Sequence, residues 1–437
     1  MDAPARKACS TTRPNAARVP AIRAYEVTWK LSALALRSMG SPLSRVKRFT
    51  FDIWYDGDVR GVEWPRGLEE LSFGYAFNQP IAAVAWPQSL LTLAFGEKFN
   101  QPIDKIDWPP SLENLDLGDD FNQPVAGVKW PPCLKALFLG GKFNRAVEMV
   151  TWPGSLKRMK FGFYFNRPIS EVQWPASLEQ LAFGYAFNQP VDGVQWPASL
   201  QQLTFDGNFR HLVGDTSWPS SLQRLELGRH FNRPVNQVSW PHSIQQLEFG
   251  LHFDQPIAAV TWPQSLRQLT FGYSFNKPIA AVSWPPSLQQ LAFGHQFNQT
   301  IFEVAWPASL QQLSFGDHFN QPINGERKPA RDHFNQSVRG VPLGQRDNFN
   351  QPVNKVRWPP SLLKVEFGEC FDQPVDGAAW PASLRELTFS RDFSLPSENF
   401  EWPASLEKLT IACRSNEPLP SWPGVRVSRI WRVYWGD

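Results

Sequence analysis

Twenty-two residues of this chain begin again, without a slip, for most of its length. The unit reads W-P-x-S-L-x-x-L-x-F-G-x-x-F-N-Q-P-[IV]-x-x-V-x, and its Trp-Pro pairs start at 64, 86, 108, 130, 152, 174, 196, 218, 240, 262, 284 and 306. They return at 358, 380 and 402, and once more at 422. A fixed period of this length restricts the chain to a solenoid of stacked coils, each contacting only its neighbours.

The direction of each repeated residue defines the coil. In Leu90, Leu93 and Phe95 the last two are two apart and share one face of a strand. Val84 and Trp86 have the same spacing and predict a second short extended segment before Pro87. Gly96 is expected to permit a turn, and Pro102 fixes its own φ. Seven large apolar residues per coil then point inward: Val84, Trp86, Leu90, Leu93, Phe95, Phe99 and Ile103. No stretch is left for a helix of useful length. The expectation is an all-β, right-handed β-solenoid of about sixteen coils, with strands about 4.8 Å apart.

One coil cannot stand alone. Burying seven such side chains gives roughly 10–20 kcal/mol, whereas ordering the backbone of twenty-two residues costs roughly 20–40 kcal/mol. Stacking on both sides supplies the difference. The terminal coils are therefore expected to be atypical, and residues 46–64 fit that description. Phe49, Phe51, Tyr55, Val59 and Val62 hold inward columns there, while Asp56 replaces Asn. Residues 25–31 alternate like a strand that begins the cap, and 425–435 read as an edge strand closing the far end.

The iterated Phe77-Asn78-Gln79-Pro80, Phe99-Asn100-Gln101-Pro102 and Phe187-Asn188-Gln189-Pro190 resemble the FNIP repeat, named for its Phe-Asn-x-Pro core and related to leucine-rich repeats. The resemblance covers about residues 46–411. Trp stands before Pro where that family more often has Leu, and Asn lies ten residues after the first Leu where the ordinary leucine-rich pattern has eight. The resemblance implies a leucine-rich-repeat-like solenoid and an interaction role, and it names no reaction.

Four regions follow from register. Residues 1–45 form a basic tail and the start of a cap, with ten Lys or Arg against two acids before Phe49. Residues 46–323 are solenoid, 324–348 an irregular polar insert, and 349–437 the final coils and C-terminal cap. The insert falls where Phe319, Phe334 and Phe349 recur at spacing fifteen, too short to circle a coil. One regular-length coil also departs from the pattern. Phe205 to Val213 loses the Gly, Asn and Pro columns together, and it is expected to stack with a looser turn.

Composition excludes more than it assigns. With 43 basic and 40 acidic residues, the formal charge of +3 gives no reason to expect nucleic acid as a partner. No apolar run is long enough to span a membrane as a helix. Cys9, Cys133, Cys370 and Cys413 lie far apart without zinc or disulfide spacing, which favours a reducing compartment and a cytoplasmic protein. The basic start leaves organelle targeting as an alternative.

Nothing in the columns reads as an active site. Ser recurs in W-P-x-S-L, but no His or acid accompanies it at fixed offset, so it is assigned to the turn. Asn in F-N-Q-P is expected to form an internal ladder. His230 and His252 share a column one coil apart, but no carboxylate or Cys column completes a metal set, although Glu226 and Glu248 lie one strand away. No cofactor is expected.

The expected function is a non-catalytic scaffold for an unidentified protein partner, using the exposed positions beside the strands. Along one column these read Ser72, Ala94, Asp116, Phe138, Lys160, Ala182, Thr204, Glu226, Glu248, Thr270, Ala292, Ser314. Asp116, Phe138, Lys160, Glu226 and Glu248 are its most distinctive members. A glycan-binding surface is the alternative, suggested by Tyr75, Phe163, Tyr185 and Tyr273 after the Gly, with only Phe163 and Tyr185 on neighbouring coils. An enzyme or metal-binding protein is the distant third.

Overall fold

In the computed structural model, the described residues are 46–301, 304–316, 358–367, 375, 378–389, 400–411 and 422–429, with the backbone of 27–28. The sequence period becomes geometry through one short strand per coil. The Leu90 N–H donates to the Pro87 carbonyl (3.1 Å), turning the chain after each Trp-Pro. Thr92–Ala94 then forms the strand, with Leu93 fully buried. Phe99 N–H closes a second turn on Gly96 (3.1 Å), and Val84 N–H a third on Ile81 (3.1 Å). All seven predicted inward side chains of this coil are buried, none more than 6% exposed.

Each strand pairs in parallel with the next, and from Arg48–Thr50 to Gln312–Ser314 every partner lies 22 residues on. The result is one parallel sheet with no helix among the described residues. The described strands from Arg48–Thr50 to Arg426–Arg429 number seventeen, one per turn of about 22 residues, in keeping with the expected solenoid. Leu313 pairs with Val365 across the insert, and the shortened last unit pairs Lys408 with Arg426. Residues 324–348 themselves lie outside the described residues. At the other end Val27 pairs with Phe49, so the alternation before the first coil does supply a strand.

The second extended segment does not become a strand. Around Val84 and Trp86 no backbone bond crosses to the neighbouring coil, although both side chains are buried. Stacked tryptophans explain why: Trp86 and Trp108 have ring centroids 6.5 Å apart, and Trp64 and Trp86 6.1 Å. That spacing is too wide for a ladder, which needs about 4.8 Å. Between the two sides the spacing is graded. Phe73 and Phe95, next to the strand, are 5.4 Å apart, and Phe77 and Phe99, farther round, 6.2 Å. The stack is therefore curved, with its strands on the concave side.

Polar columns tie the coils together. The Asn100 Oδ1 accepts from the backbone N–H of Asn122 (2.9 Å) and from Gln123 Nε2 (3.0 Å), and the pattern recurs from coil to coil. Asp56 substitutes without loss, because only an acceptor is needed: it receives the Asn78 N–H at 2.8 Å. Every Ser of W-P-x-S-L that the sequence offered as a hydroxyl array is similarly engaged, as Ser199 donates to the Leu178 carbonyl at 2.7 Å and Ser221 to Leu200 at 2.7 Å. Tryptophan is the exception to this economy. Fifteen buried indole N–H groups have no hydrogen-bond partner among the described residues.

The recurrent glycine stands at the expected turn, and the stacking gives it a second role. Among the described residues of the Phe-Gly column only Gly118 has positive φ (75°). What the others supply is closeness: a Cβ on Gly250 would lie 2.0 Å from the Gly228 carbonyl oxygen of the preceding coil. Adjacent regular coils touch backbone to backbone here, which favours glycine, and only the irregular coil places another residue, Asp206, between two such glycines.

Candidate functional site

Because the glycine row has no side chains, it forms the floor of a furrow along the concave face. On one side stand the outward residues of the strands, on the other the residues just after the glycines. Between Lys160 and His295 the furrow encloses about 790 Å³. Of the eight residues singled out from the sequence, Lys160, Glu226, Glu248 and Tyr273 line that volume, and the other four stand in the same two columns. Asp116, Phe138 and Lys160 are cross-strand partners on three successive strands, and Glu226 is paired with Glu248. Phe163, Tyr185 and Tyr273 stand in the opposite wall.

The strand wall is uneven in charge. Glu226 is bound by Arg224 (Nη2 to Oε1 2.5 Å) and accepts a long bond from Thr204 Oγ1 (3.4 Å). No hydrogen bond or ion pair among the described residues reaches the Glu248 carboxylate. Burial, and then the charge of Glu226, push its pKa above the usual carboxylate value, with Arg224 opposing.

The ring wall is longer than the sequence suggested. Phe163 and Tyr185 stack at 4.9 Å with planes 5° apart, His230 and His252 at 4.8 Å and 9°, and Tyr273 and His295 at 4.5 Å and 13°. His295 thus extends the row of Tyr and Phe, whereas His230 and His252 stand one position farther on, next to Arg229 and Leu251. Tyr185 and His230 also meet across an intervening coil, Oη to Nε2 3.4 Å. Gly207 makes this possible: a Cβ there would lie 2.3 Å from Tyr185 Cδ2, so the tyrosine ring occupies the space a side chain would take. The signal for that link was present in the sequence as the displaced glycine of the irregular coil. That coil does stack, its strand Gln202–Phe205 pairing on both sides.

His230 and His252 stand on adjacent coils. Their rings lie face to face, and among the described residues no group of three or more His, Cys, Asp or Glu is placed to hold an ion. Burial, followed by Arg210, His252 and Arg229, lowers the pKa of His230. His318 lies outside the described residues.

Five segments, residues 62–98, 99–142, 143–186, 216–252 and 253–296, match the model of the FNIP Repeat. The chain carries FNIP repeats. The unmatched interval between the third and fourth segments contains the irregular coil at 205–213, where the FNIP repeat loses Gly, Asn and Pro. Among solved structures, the FNIP-repeat chain is similar to CroV588, described as a novel circular LRR protein, at 32% identity and a TM-score of 0.67. That match covers 89% of this chain, and the chain spans 59% of the length of CroV588. The Toll–Spatzle complex of Drosophila matches over 89% of this chain and 63% of its own, at 12% identity and a TM-score of 0.52, a likeness of fold alone. No curated protein matches the sequence.

Proposed function

We propose that the protein is a non-catalytic scaffold that binds a protein partner along its concave face. The observation that carries this is the contrast between columns. The core, the Asn ladder and the Ser column are copied from coil to coil, whereas the furrow walls change from Lys160 through Thr204, Glu226 and Glu248 to Thr270. Such varied chemistry on a rigid, repeated frame suits a protein surface with its own mixed contacts. The solenoid fold supports a scaffold over an enzyme, and the repeated hydroxyls are occupied in holding coils together. An exposed free thiol at Cys133 supports a reducing compartment, the cytoplasm.

The aromatic row keeps a glycan in view as the second reading. It counts for less because rings stacked at 4.5–4.9 Å cover one another's faces, and sugar stacking needs an open face. A photo-crosslinking residue placed at Thr204 or Glu248, compared with one at the exposed turn residue Asp192, tests the reading. The same protein should be captured from both concave positions and lost from each when the other carries Arg. Equal capture from Asp192, or binding on a glycan array with no protein captured, would overturn it.

A further inference from the structure

In the ring wall Phe163 and Tyr185, and Tyr273 and His295, cover one another from coil to coil, so a coil without a side chain in this column opens a gap a single coil deep. Glycine stands in this column at Gly141 and at Gly207. The two gaps have different fates. Tyr185 fills the second by lying across Gly207. At Gly141 the three atoms nearest a Cβ all belong to Asp119 on the preceding coil: O and Oδ1 at 3.3 Å and Cβ at 3.5 Å. The coil beyond carries Phe163, whose one face is covered by Tyr185 at 4.9 Å. Its other face looks along the stack toward Gly141, and the residue is 49% exposed. Tyr164, 54% exposed, meets Phe163 edge to face at 4.9 Å and 68°, forming a corner.

The charges around the gap are unequally satisfied. Lys142 Nζ binds Asp120 at 2.9 Å, and Lys98 Nζ binds the same carboxylate at 3.3 Å while lying 5.1 Å over the Tyr75 ring. Glu97 reaches Lys98 at 3.5 Å. Among the described residues no hydrogen bond or ion pair reaches the Asp119 carboxylate. Three acids, Glu97, Asp119 and Asp120, thus face two lysines, Lys98 and Lys142, and the unmatched charge borders the gap.

We infer that this gap is a subsite for one arginine side chain of an extended partner segment, its guanidinium between Phe163 and Asp119. The inference rests on the concave face being a protein-binding surface and adds the residue that the surface selects. Coil pitch sets rings in this row 4.5–4.9 Å apart, so a planar group entering at Gly141 takes the place of the missing ring. A guanidinium is planar, stacks on an aromatic face and presents N–H donors at its edge to a carboxylate. A lysine ammonium is a compact point charge and satisfies one wall at a time. A neutral ring leaves Asp119 unpaired.

Saturation-transfer NMR on the full chain tests this with three probes: the amides of N-acetyl-arginine, N-acetyl-citrulline and N-acetyl-lysine. Citrulline keeps the shape of arginine and removes its charge. The arginine probe should receive the strongest transfer, with affinity reduced about fivefold or more in Phe163→Ala and in Asp119→Asn. Gly141→Leu fills the gap and leaves both walls in place, and it should abolish the preference. Other coils carry Glu97, Asp119 or Tyr185 in this column, and Asp119 need give only a few tenths of an ångström. Circular dichroism monitors its fold, and the two substitutions of exposed residues carry the test should it fail to fold. Equal transfer to arginine and citrulline, or undiminished arginine binding by folded Gly141→Leu, would overturn the subsite. Arginine selectivity without any protein cross-linked at Thr204 or Glu248 would sink the scaffold reading and leave the subsite standing. Cross-linked partner with no arginine preference would do the reverse.

Discussion

Arg210 interrupts the Asn ladder, and repairing it should stabilise the stack at a single amide. Asn188 Oδ1 accepts the Arg210 N–H at 3.0 Å, and Asn232 Oδ1 accepts the Asp254 N–H at 3.0 Å. Between them, among the described residues, no hydrogen bond reaches the Asn232 N–H, because a guanidinium has no acceptor. Arg210→Asn restores an oxygen where every regular coil has one. The bond from Arg233 Nε to the residue-210 carbonyl is to the main chain and is kept. A hydrogen bond of this kind has a net worth of about 0.5–1.5 kcal/mol, which corresponds to roughly 2- to 12-fold slower exchange of the Asn232 amide. Hydrogen–deuterium exchange of peptides covering 228–236 measures it directly. Arg210→Ala offers no acceptor and should show no slowing. The mirror image is Asn100→Ala, which strips acceptors from Asn122 N and Gln123 Nε2 and should cost about 1–3 kcal/mol. If Arg210→Asn exchanges like wild type and like Arg210→Ala, the ladder is a by-product of stacking and contributes nothing to it.

Other expectations follow from core, charge and indole. Leu247→Asp places a carboxylate where the side chain is 2% exposed and should cost on the order of 4–5 kcal/mol, opening nearby coils to protease, while Gln246→Asp on the outer face should be almost silent. Equal proteolysis would invert the face assignment. Glu248→Gln should raise the melting temperature at pH 7. Its folded pKa is raised, so the ionised form is penalised above the unfolded value, and the penalty disappears as pH falls below that value. The gain should accordingly vanish in acid, and a gain that persists below about pH 3 would exclude titration as its source. Trp262→Leu should be nearly neutral, within about 1 kcal/mol, because the lost area is offset by relief of an unpaired indole N–H. Trp262→Ala should cost about 3–5 kcal/mol, and denaturant titration separates the two.

The inward columns were legible because a period of 22 repeats the same constraint many times, and Leu93, Phe95 and Phe99 then need no context. One reading failed and another was incomplete where the answer depended on distance between coils. Val84 and Trp86 alternate like a strand, yet stacked indoles hold that side too far apart to pair. The glycine after Phe looks like a turn residue, but its reason is the carbonyl of the coil before it, invisible in any one repeat. The ring wall was half-read for the same cause. Phe163 and Tyr185 are neighbours in the period, whereas Tyr185 and His230 are 45 residues apart and meet only over a glycine. Gly141 carries no chemistry of its own, and its interest comes wholly from what stands on either side.

The graded spacing, tight along the strands and wide along the tryptophans, has a genetic consequence. Every coil added in frame turns the stack by the same increment, so repeat number sets the angle the concave face subtends. Unequal crossing-over between near-identical repeats then yields a graded series of arcs from one parental sequence. Each member keeps its core and its ladders, since no coil depends on any but the adjacent two. Selection for a partner of different girth would act on copy number before it acted on any codon.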